Sequence, residues 1–336
     1  MSDRDEPLAT VVGMRQARAI LASAATSGEM SHAWLLSGLS GIGKRTLAVA
    51  TAALLNCQDR PPGSANACGH CASCRLIARG SHPDVVVVAG DESASAKVDN
   101  VREVVALANM HPSMGRWRVF IITAVDELLP HAANALLKPL EEPPPATVLL
   151  LTAVQLDRVL PTIISRCKPL PLQPASLAEI RAALESRWGV PAEDAAQIAA
   201  LSGGRMAWAV AAIEQPELRQ QRESDVERLM RLPSLGRAER LRIAPELAPN
   251  QDGAQQTISL WLALWRDVVL AAHGAENLAA TGSVRRRAES LGKALGPDRA
   301  ESFVHALLRA QTALEENGNP RLTLDVVLLD LPSVSL

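Results

Sequence analysis

The stretch Gly38–Thr46 reads GLSGIGKRT and nearly completes a phosphate-binding loop, G-x-x-x-x-G-K-[ST]. It follows an apolar run and opens a helical pattern, which is the context that such a loop requires. Backbone N–H groups of the turn would hold phosphate oxygens, and Lys44 would reach the terminal phosphates. The sequence therefore predicts phosphate binding, with a plain glycine turn as the alternative. The candidate nucleotide-binding residues of this loop are Gly38, Gly41, Gly43, Lys44, Arg45 and Thr46.

The ligands that would hold magnesium are missing from this loop. Arg45 stands where a serine or threonine hydroxyl is required, and a guanidinium has no acceptor atom. Thr46 lies one position further, about 100° around the helix axis. After the second apolar strand comes Thr123 rather than an acid, and the pair Asp126-Glu127 follows three residues later. Magnesium-dependent hydrolysis is not expected here, whereas nucleotide binding stays open.

Four cysteines form a C-x10-C-x2-C-x2-C cluster, which consists of Cys57, Cys68, Cys71 and Cys74. Four thiolates at such spacing suit one tetrahedral zinc ion, and a fully ligated zinc is structural rather than catalytic. Disulfides and an iron–sulfur cluster are the alternatives. His70 lies between ligands as a bystander, and Cys167 is expected to be a small buried residue.

Short apolar runs alternate with helical patterns from Val11 to about Leu172. This alternation predicts an α/β domain with a parallel sheet covered on both faces. The expected strands are Ala33–Leu36, Val85–Val88, Val119–Ile122 and Val148–Leu151, and the expected helices are Arg45–Leu55, Val98–Asn109 and His131–Leu140. After Pro174 the pattern is helical throughout, with amphipathic segments at Thr257–Ala272 and Ala300–Glu316.

The 336 residues are expected to form three domains. We predict a nucleotide-binding-like α/β domain at 1–172 that carries the cysteine module at 57–74. A small helical lid is expected at 173–215 and a larger helical domain at 216–336. The N-terminus is acidic and polar, unlike a signal peptide, and no apolar run reaches membrane-spanning length, so a cytoplasmic protein is expected.

The charge balance argues against a protein that binds nucleic acid by itself. The formal net charge is −2, and the only dense basic run is Arg285-Arg286-Arg287, which we interpret as a solvated helix face. The 48% of apolar residues includes few aromatic ones, which favours a globular chain with helical, aliphatic cores.

These features together resemble the delta-prime family of bacterial DNA polymerase III clamp-loader subunits, within the AAA+ group. The matching stretches are SHAWLLSGLSGIGK, CGHCASC, GSHPD, KVDNVREV, HAANALLKPLEEPP, SRC at Ser165–Cys167 and ENGNPRLTLDVVLLDLP. The resemblance covers nearly the whole chain and is weakest from about Pro216 to Glu315. It implies an AAA+ domain, a lid domain and a helical collar domain through which subunits assemble.

The resemblance implies a ring of five subunits with ATP at the subunit interfaces. Arg166 of the Ser-Arg-Cys motif would then act in trans as an arginine finger on the neighbouring ATP. Partners would be gamma/tau and delta subunits and, through the complex, the sliding clamp and primer-template DNA. Zinc is the implied structural cofactor, and ATP or ADP is an open possibility.

Several positions depart from the catalytic relatives. Arg45 and Thr123-Ala124 replace their metal ligands, which favours a delta-prime subunit over a gamma/tau ATPase. In the sensor region of the lid, Trp208 stands where catalytic relatives have an arginine that contacts phosphate, and Arg205 is nearby, so no sensor is assigned there. Thr152 matches the first sensor position, which implies a further candidate nucleotide-binding residue; a threonine at a strand end is also common in ordinary turns. Pro139 stands where a threonine is usual. Without the SRC context, Arg166 would be interpreted as an arginine paired to a nearby acid.

Two alternative functions follow from the same residues. The first is an active gamma/tau-type ATPase in which Thr46 and Asp126 restore metal binding in a shifted register. The second is a zinc-ribbon nucleic-acid-binding protein with a vestigial phosphate loop, which would show salt-dependent DNA affinity.

Overall fold

The computed structural model describes residues 11–60, 64–88, 107–108, 110–275, 282–316 and 318–334. The N-terminal residues 1–10 and nearly all of the predicted helix Val98–Asn109 lie outside these ranges. The chain divides into two compact units, one formed by Met1–Ala175 with Arg205–Ala207 and the other by Ser176–Gly204 with Trp208–Leu336. The division into three domains stays a prediction.

The first unit contains a five-stranded sheet in which every pair of neighbouring strands is parallel. The strands are β1 (Ala33–Ser37), β2 (Val85–Val88), β3 (Arg118–Ile122), β4 (Thr147–Ala153) and β5 (Lys168–Pro171), in the order β2-β3-β4-β1-β5. The four predicted strands are confirmed. β5 was not predicted, because its two prolines argue against a central strand, and it lies at the sheet edge where prolines are tolerated.

Both faces of the sheet are covered, which explains why its strands are continuous apolar runs. On one face Trp34, Leu36 and Leu150 pack into a core with the helices that flank the phosphate-loop region. On the other face Leu35 and Phe120 belong to a second core. The predicted α/β class with a parallel sheet is therefore confirmed.

The first unit also contains six described helices, α1 (Arg15–Ser27), α2 (Lys44–Asn56), α3 (Ala72–Ala78), α4 (Pro130–Ala135), α5 (Leu137–Glu141) and α6 (Pro161–Ile164). The predicted helix His131–Leu140 is interrupted at Leu136. Pro139 accounts for the interruption, since it has no N–H and its ring clashes with the carbonyl four residues earlier, at Ala135.

The second unit is helical in all its described parts. Its helices are α7 (Leu177–Trp188), α8 (Ala192–Ser202), α9 (Met206–Glu214, whose first two residues group with the first unit), α10 (Pro216–Arg231), α11 (Arg237–Leu247), α12 (Gln251–Ala272), α13 (Gly282–Leu295), α14 (Pro297–Glu315) and α15 (Pro320–Asp330). Phe303 packs between Trp261 and Trp265, with ring centroids 5.4 and 4.4 Å apart. Within the described residues, no helix combines the length and apolarity needed to cross a membrane.

Candidate functional site

The glycine-rich loop leaves the carboxyl end of β1 and enters α2 at Lys44. In the sheet, β1 and β4 are neighbours, but the connection after β1 leads to β2 at one edge of the sheet and the connection after β4 leads to β5 at the other edge. The loop after β1 therefore lies at a topological switch point, where ligands bind in open α/β folds. Gly38 has a φ of 151°, and an added Cβ would lie 2.6 Å from the carbonyl oxygen of Leu172. Only glycine fits at that position.

Lys44 is folded back over its own loop. Its Nζ donates hydrogen bonds to the carbonyl oxygens of Gly38 at 2.7 Å and Leu39 at 2.9 Å. Burial lowers the pKa of Lys44 to about 8, and the opposing charge of Asp126 offsets part of that effect. The two carbonyls hold the ammonium where a phosphate would otherwise be its partner.

The two residues after Lys44, Arg45 and Thr46, do not supply the missing metal ligand. Arg45 and Thr46 are both exposed in the first turn of α2. At the end of β3, Thr123 is bound to Val88, whose carbonyl oxygen accepts from the Thr123 N–H at 3.0 Å and from its hydroxyl at 3.2 Å. The strand end is thus closed by a neutral side chain that already has a partner.

Asp126 lies in a 3-10 turn beyond β3 and bridges to the end of β4. Its Oδ2 accepts hydrogen bonds from the N–H groups of Val154 at 3.0 Å and Gln155 at 2.8 Å. In the part of the chain that the structure describes, Asp126 belongs to no cluster of three His, Cys, Asp or Glu side chains close enough to share a metal. Thr152 acts similarly, since its buried hydroxyl oxygen accepts from the N–H of Ala124 at 3.1 Å.

The segment that follows α8 approaches the loop. The N–H of Ala207 donates to the carbonyl of Gly41 at 3.0 Å, and a methyl group added at Gly41 would lie 3.7 Å from the Cβ of Arg205. Burial lowers the pKa of Arg205. Sequence reasoning named Arg205 without placing it, because only the fold brings residue 205 beside residue 41. Trp208 belongs instead to the second unit, where Cζ of Arg222 lies 5.8 Å from the centroid of its ring.

Arg166 lies just after α6, with its guanidinium at the surface and 34% of its side chain exposed. Its Nη2 is 2.7 Å from Oε1 of Glu141, at the end of α5. Its Nη1 donates to the carbonyl of Thr162 at 2.9 Å and to the hydroxyl oxygen of Ser165 at 3.2 Å. Within this chain Arg166 is therefore paired to an acid, as the interpretation without the SRC context expects.

The four clustered cysteines converge as their spacing predicts. Their Sγ atoms lie within 4.8 Å of one another, and those of Cys68 and Cys74 are 4.0 Å apart. A tetrahedron of zinc-bound thiolates has edges of about 3.8 Å, so the set fits this ion with a small adjustment. Backbone N–H groups point at three of the sulfurs, which are those of Cys57, Cys68 and Cys71.

Hydrogen bonding favours the thiolate at Cys71, whereas burial raises the pKa values of Cys57 and Cys74. Burial raises the pKa of Cys71, but hydrogen bonds from the backbone N–H groups of Cys74 and Gln58 outweigh burial and bring it to about 6. His70 is exposed, and its Nδ1 lies 2.9 Å from the carbonyl oxygen of Cys68, which agrees with a bystander. Cys167 is buried, as expected.

The basic run at residues 285–287 lies in α13. Arg285 pairs with Glu289 one turn later, at 3.0 Å between Nε and Oε1. Arg285 and Arg286 are exposed. This arrangement agrees with a solvated helix face carrying its own counter-charge.

Comparison with known proteins gives consistent matches over about half of the chain. Residues 13–176 match the family model described as DNA polymerase III, delta subunit. DNA polymerase III subunit delta' of Pseudomonas aeruginosa is 45% identical over 52% of this chain and 53% of its own length. The Escherichia coli subunit tau is 35% identical over 54% of this chain and 28% of its own.

This chain thus spans about half the length of the Pseudomonas relative and less of the tau subunit. Among solved structures, a DNA polymerase III gamma subunit-related protein from Thermotoga maritima aligns with 94% of this chain and 97% of its own. The two share 18% sequence identity, with a TM-score of 0.37. Over its matched half, the predicted resemblance to delta-prime is confirmed.

Proposed function

We propose that this chain is the delta-prime subunit of a bacterial DNA polymerase III clamp loader. In this role it hydrolyses no ATP itself, donates Arg166 to the ATP site of a neighbouring subunit and helps to load the sliding clamp onto primed DNA. The observation that carries the proposal is the 45% identity to a delta-prime subunit, against 35% to a tau subunit over a similar length.

The residues at the positions that would bind magnesium support a subunit that does not hydrolyse ATP itself. Arg45 places a cation where magnesium needs an oxygen ligand, and Thr123 is bound to the Val88 carbonyl. Asp126 uses Oδ2 to accept from two backbone N–H groups. While these hydrogen bonds persist, a register shift that brought Asp126 to a metal could use only Oδ1, the other carboxylate oxygen.

The position of Arg166 supports its role in trans. Its guanidinium is partly exposed, and Glu141, Thr162 and Ser165, which accept its hydrogen bonds, are themselves exposed. A guanidinium presents several fixed N–H donors, which suit the charge that spreads over a phosphoryl group during transfer. An arginine finger stabilises this charge in the transition state and accelerates transfer by ~10³-fold or more.

Zinc at the four-cysteine cluster would be structural. Cys57 follows directly on α2, so an ion bound there would fix the far end of the helix that begins at Lys44. All four thiolates are protein ligands, which leaves no position for a reacting water. ATP or ADP remains a candidate ligand for the cradle at Gly38–Lys44, and its binding would require Lys44 to leave the Gly38 and Leu39 carbonyls.

The helical unit offers a surface suited to assembly with gamma/tau and delta subunits. Leu322, Val326 and Leu329 recur at helical spacing on α15 and are 64, 57 and 46% exposed. Leu308 of the neighbouring α14 is 45% exposed. Exposed large apolar side chains at helical spacing, as on α15, are typical of protein interfaces.

The test is ATP turnover by the reconstituted loader, stimulated by the clamp and primed DNA, with variants in this subunit only. We expect Arg166→Ala to lower turnover at the adjacent site by ~10³-fold. Arg181→Ala, which removes an exposed helix arginine, is the control and is expected to behave as wild type. Lys44→Ala is expected to have little effect, and a large loss there would instead identify this chain as an ATPase subunit.

A further inference from the structure

The partner of Arg166 within its own chain is a carboxylate with the same acceptor chemistry as a phosphate. Glu141 Oε1 accepts from Nη2 at 2.7 Å, while Nη1 is bound by the Thr162 carbonyl and the Ser165 hydroxyl. Both terminal nitrogens are therefore engaged within the chain. A phosphate of a neighbouring nucleotide would compete with these acceptors for the charge and the N–H groups of the same guanidinium.

The ion pair is placed so that it can open at low cost. The side chain of Glu141 is 49% exposed and that of Arg166 is 34% exposed. Exposed pairs contribute little free energy because water replaces the lost partner on each side. The two residues lie at the ends of separate short helices: Glu141 is the last residue of α5, and Arg166 lies two residues after the end of α6. Their ion pair thus links the end of α5 to the residues that follow α6.

We propose that Glu141 is a positioning residue for Arg166 that docks the guanidinium in the free subunit and competes with the neighbouring nucleotide for it. This inference rests on the proposed function of Arg166. The finger then has two positions, one on Glu141 and one on the phosphate. In the proposed exchange, movement of the guanidinium to the phosphate breaks its ion pair with Glu141, so the Glu141 carboxylate weakens the apparent affinity of the adjacent site for ATP.

The test is Glu141→Gln in this subunit within the reconstituted loader. The amide keeps the shape of the side chain but loses its charge. Glu142→Gln removes the same charge at the next residue, which is also exposed, and serves as the matched control. Because the competition affects ground state and transition state alike, we expect KM for ATP to fall about two- to fivefold while kcat stays unchanged. Added salt should shrink the difference from wild type.

The Arg166→Ala background separates the two proposals. There Glu141→Gln should leave KM as it is, because no guanidinium remains to be released. If Arg166→Ala alone leaves turnover intact, the proposed function fails and the role of Glu141 fails with it. If Arg166→Ala slows turnover but Glu141→Gln matches Glu142→Gln, or raises KM, then only the role of Glu141 is overturned.

Discussion

Asp84 and Arg118 form a buried ion pair at the amino ends of β2 and β3, with 3.0 Å between Oδ1 and Nη2. Their side chains are 0 and 6% exposed. The same carboxylate accepts backbone N–H groups from Ser113, Met114 and Gly115 at 2.7 to 2.8 Å. A single aspartate thus fixes the loop that leads into β3, which explains the chemistry of the GSHPD stretch.

Replacing Asp84 should destabilise the first unit strongly. Asp84→Asn keeps the shape but leaves the Arg118 guanidinium buried without its counter-charge, so we expect a loss of ~3–5 kcal/mol in the free energy of unfolding. Urea denaturation at neutral pH measures it. Glu29→Gln, which removes a carboxylate charge at an exposed position of the same unit, is the control, and an equal effect of both variants would contradict this account.

The contribution of Asp84 should also depend on pH. Burial raises its pKa, but the hydrogen bonds from Gly115, Ser113 and Met114 outweigh burial and hold the pKa below 3.8. The stabilisation is therefore complete above the unfolded pKa of about 3.9 and is lost as pH falls through the lower folded value. Urea midpoints of wild type and Asp84→Asn should converge in that acidic window, whereas a constant gap would argue against this carboxylate.

Metal removal provides a separate prediction. We expect one zinc per chain by elemental analysis, and a chelator should lower the melting temperature because the ion joins the end of α2 to the segment before α3. Cys71→Ser should abolish the bound zinc. Cys167→Ser, outside the cluster, should retain it. Iron with visible absorption in place of zinc would overturn the assignment.

The phosphate loop should bind anions in a pH-dependent way. Because the pKa of Lys44 is about 8, the ammonium loses its proton near a pH at which an ordinary lysine remains charged. Pyrophosphate affinity, measured by calorimetry with a chelator present, should fall between pH 7 and 9. Lys44→Arg stays charged in this range, so any binding that it retains should not show the fall. A flat profile for the wild-type protein would contradict the role of Lys44.

The sequence predicted most of the first unit because its evidence is local. Apolar runs such as Val85–Val88 and Val119–Ile122 can be recognised without knowing their neighbours, and the four cysteines fold around one point because their spacing is short. The edge strand β5 was missed because prolines dominate it. The approach of Arg205 to Gly41 and the pairing of Arg166 with Glu141 depend on contacts between distant segments, which no local pattern encodes.

In the helical unit, a fully buried arginine joins two distant segments. The guanidinium of Arg240 is 0% exposed, and its acceptors are four carbonyl oxygens and one hydroxyl. They belong to Leu232, Pro233, Leu235, Leu331 and Ser333. Burial, together with the charge of Arg237, lowers the pKa of Arg240. The side chain thereby connects the turn before α11 to the end of α15.

Arg240→Lys should therefore be costly even though it retains the charge. A lysine offers three donors on one nitrogen and cannot reach five acceptors arranged around a planar guanidinium. With several buried carbonyls left unpaired, we expect ~3 kcal/mol or more to be lost from the free energy of unfolding. Arg237→Lys, at an exposed position on the same helix, is the matched control. Amide exchange of Leu331 should accelerate in Arg240→Lys alone, and unchanged protection there would show that this arginine does not secure the C-terminal segment.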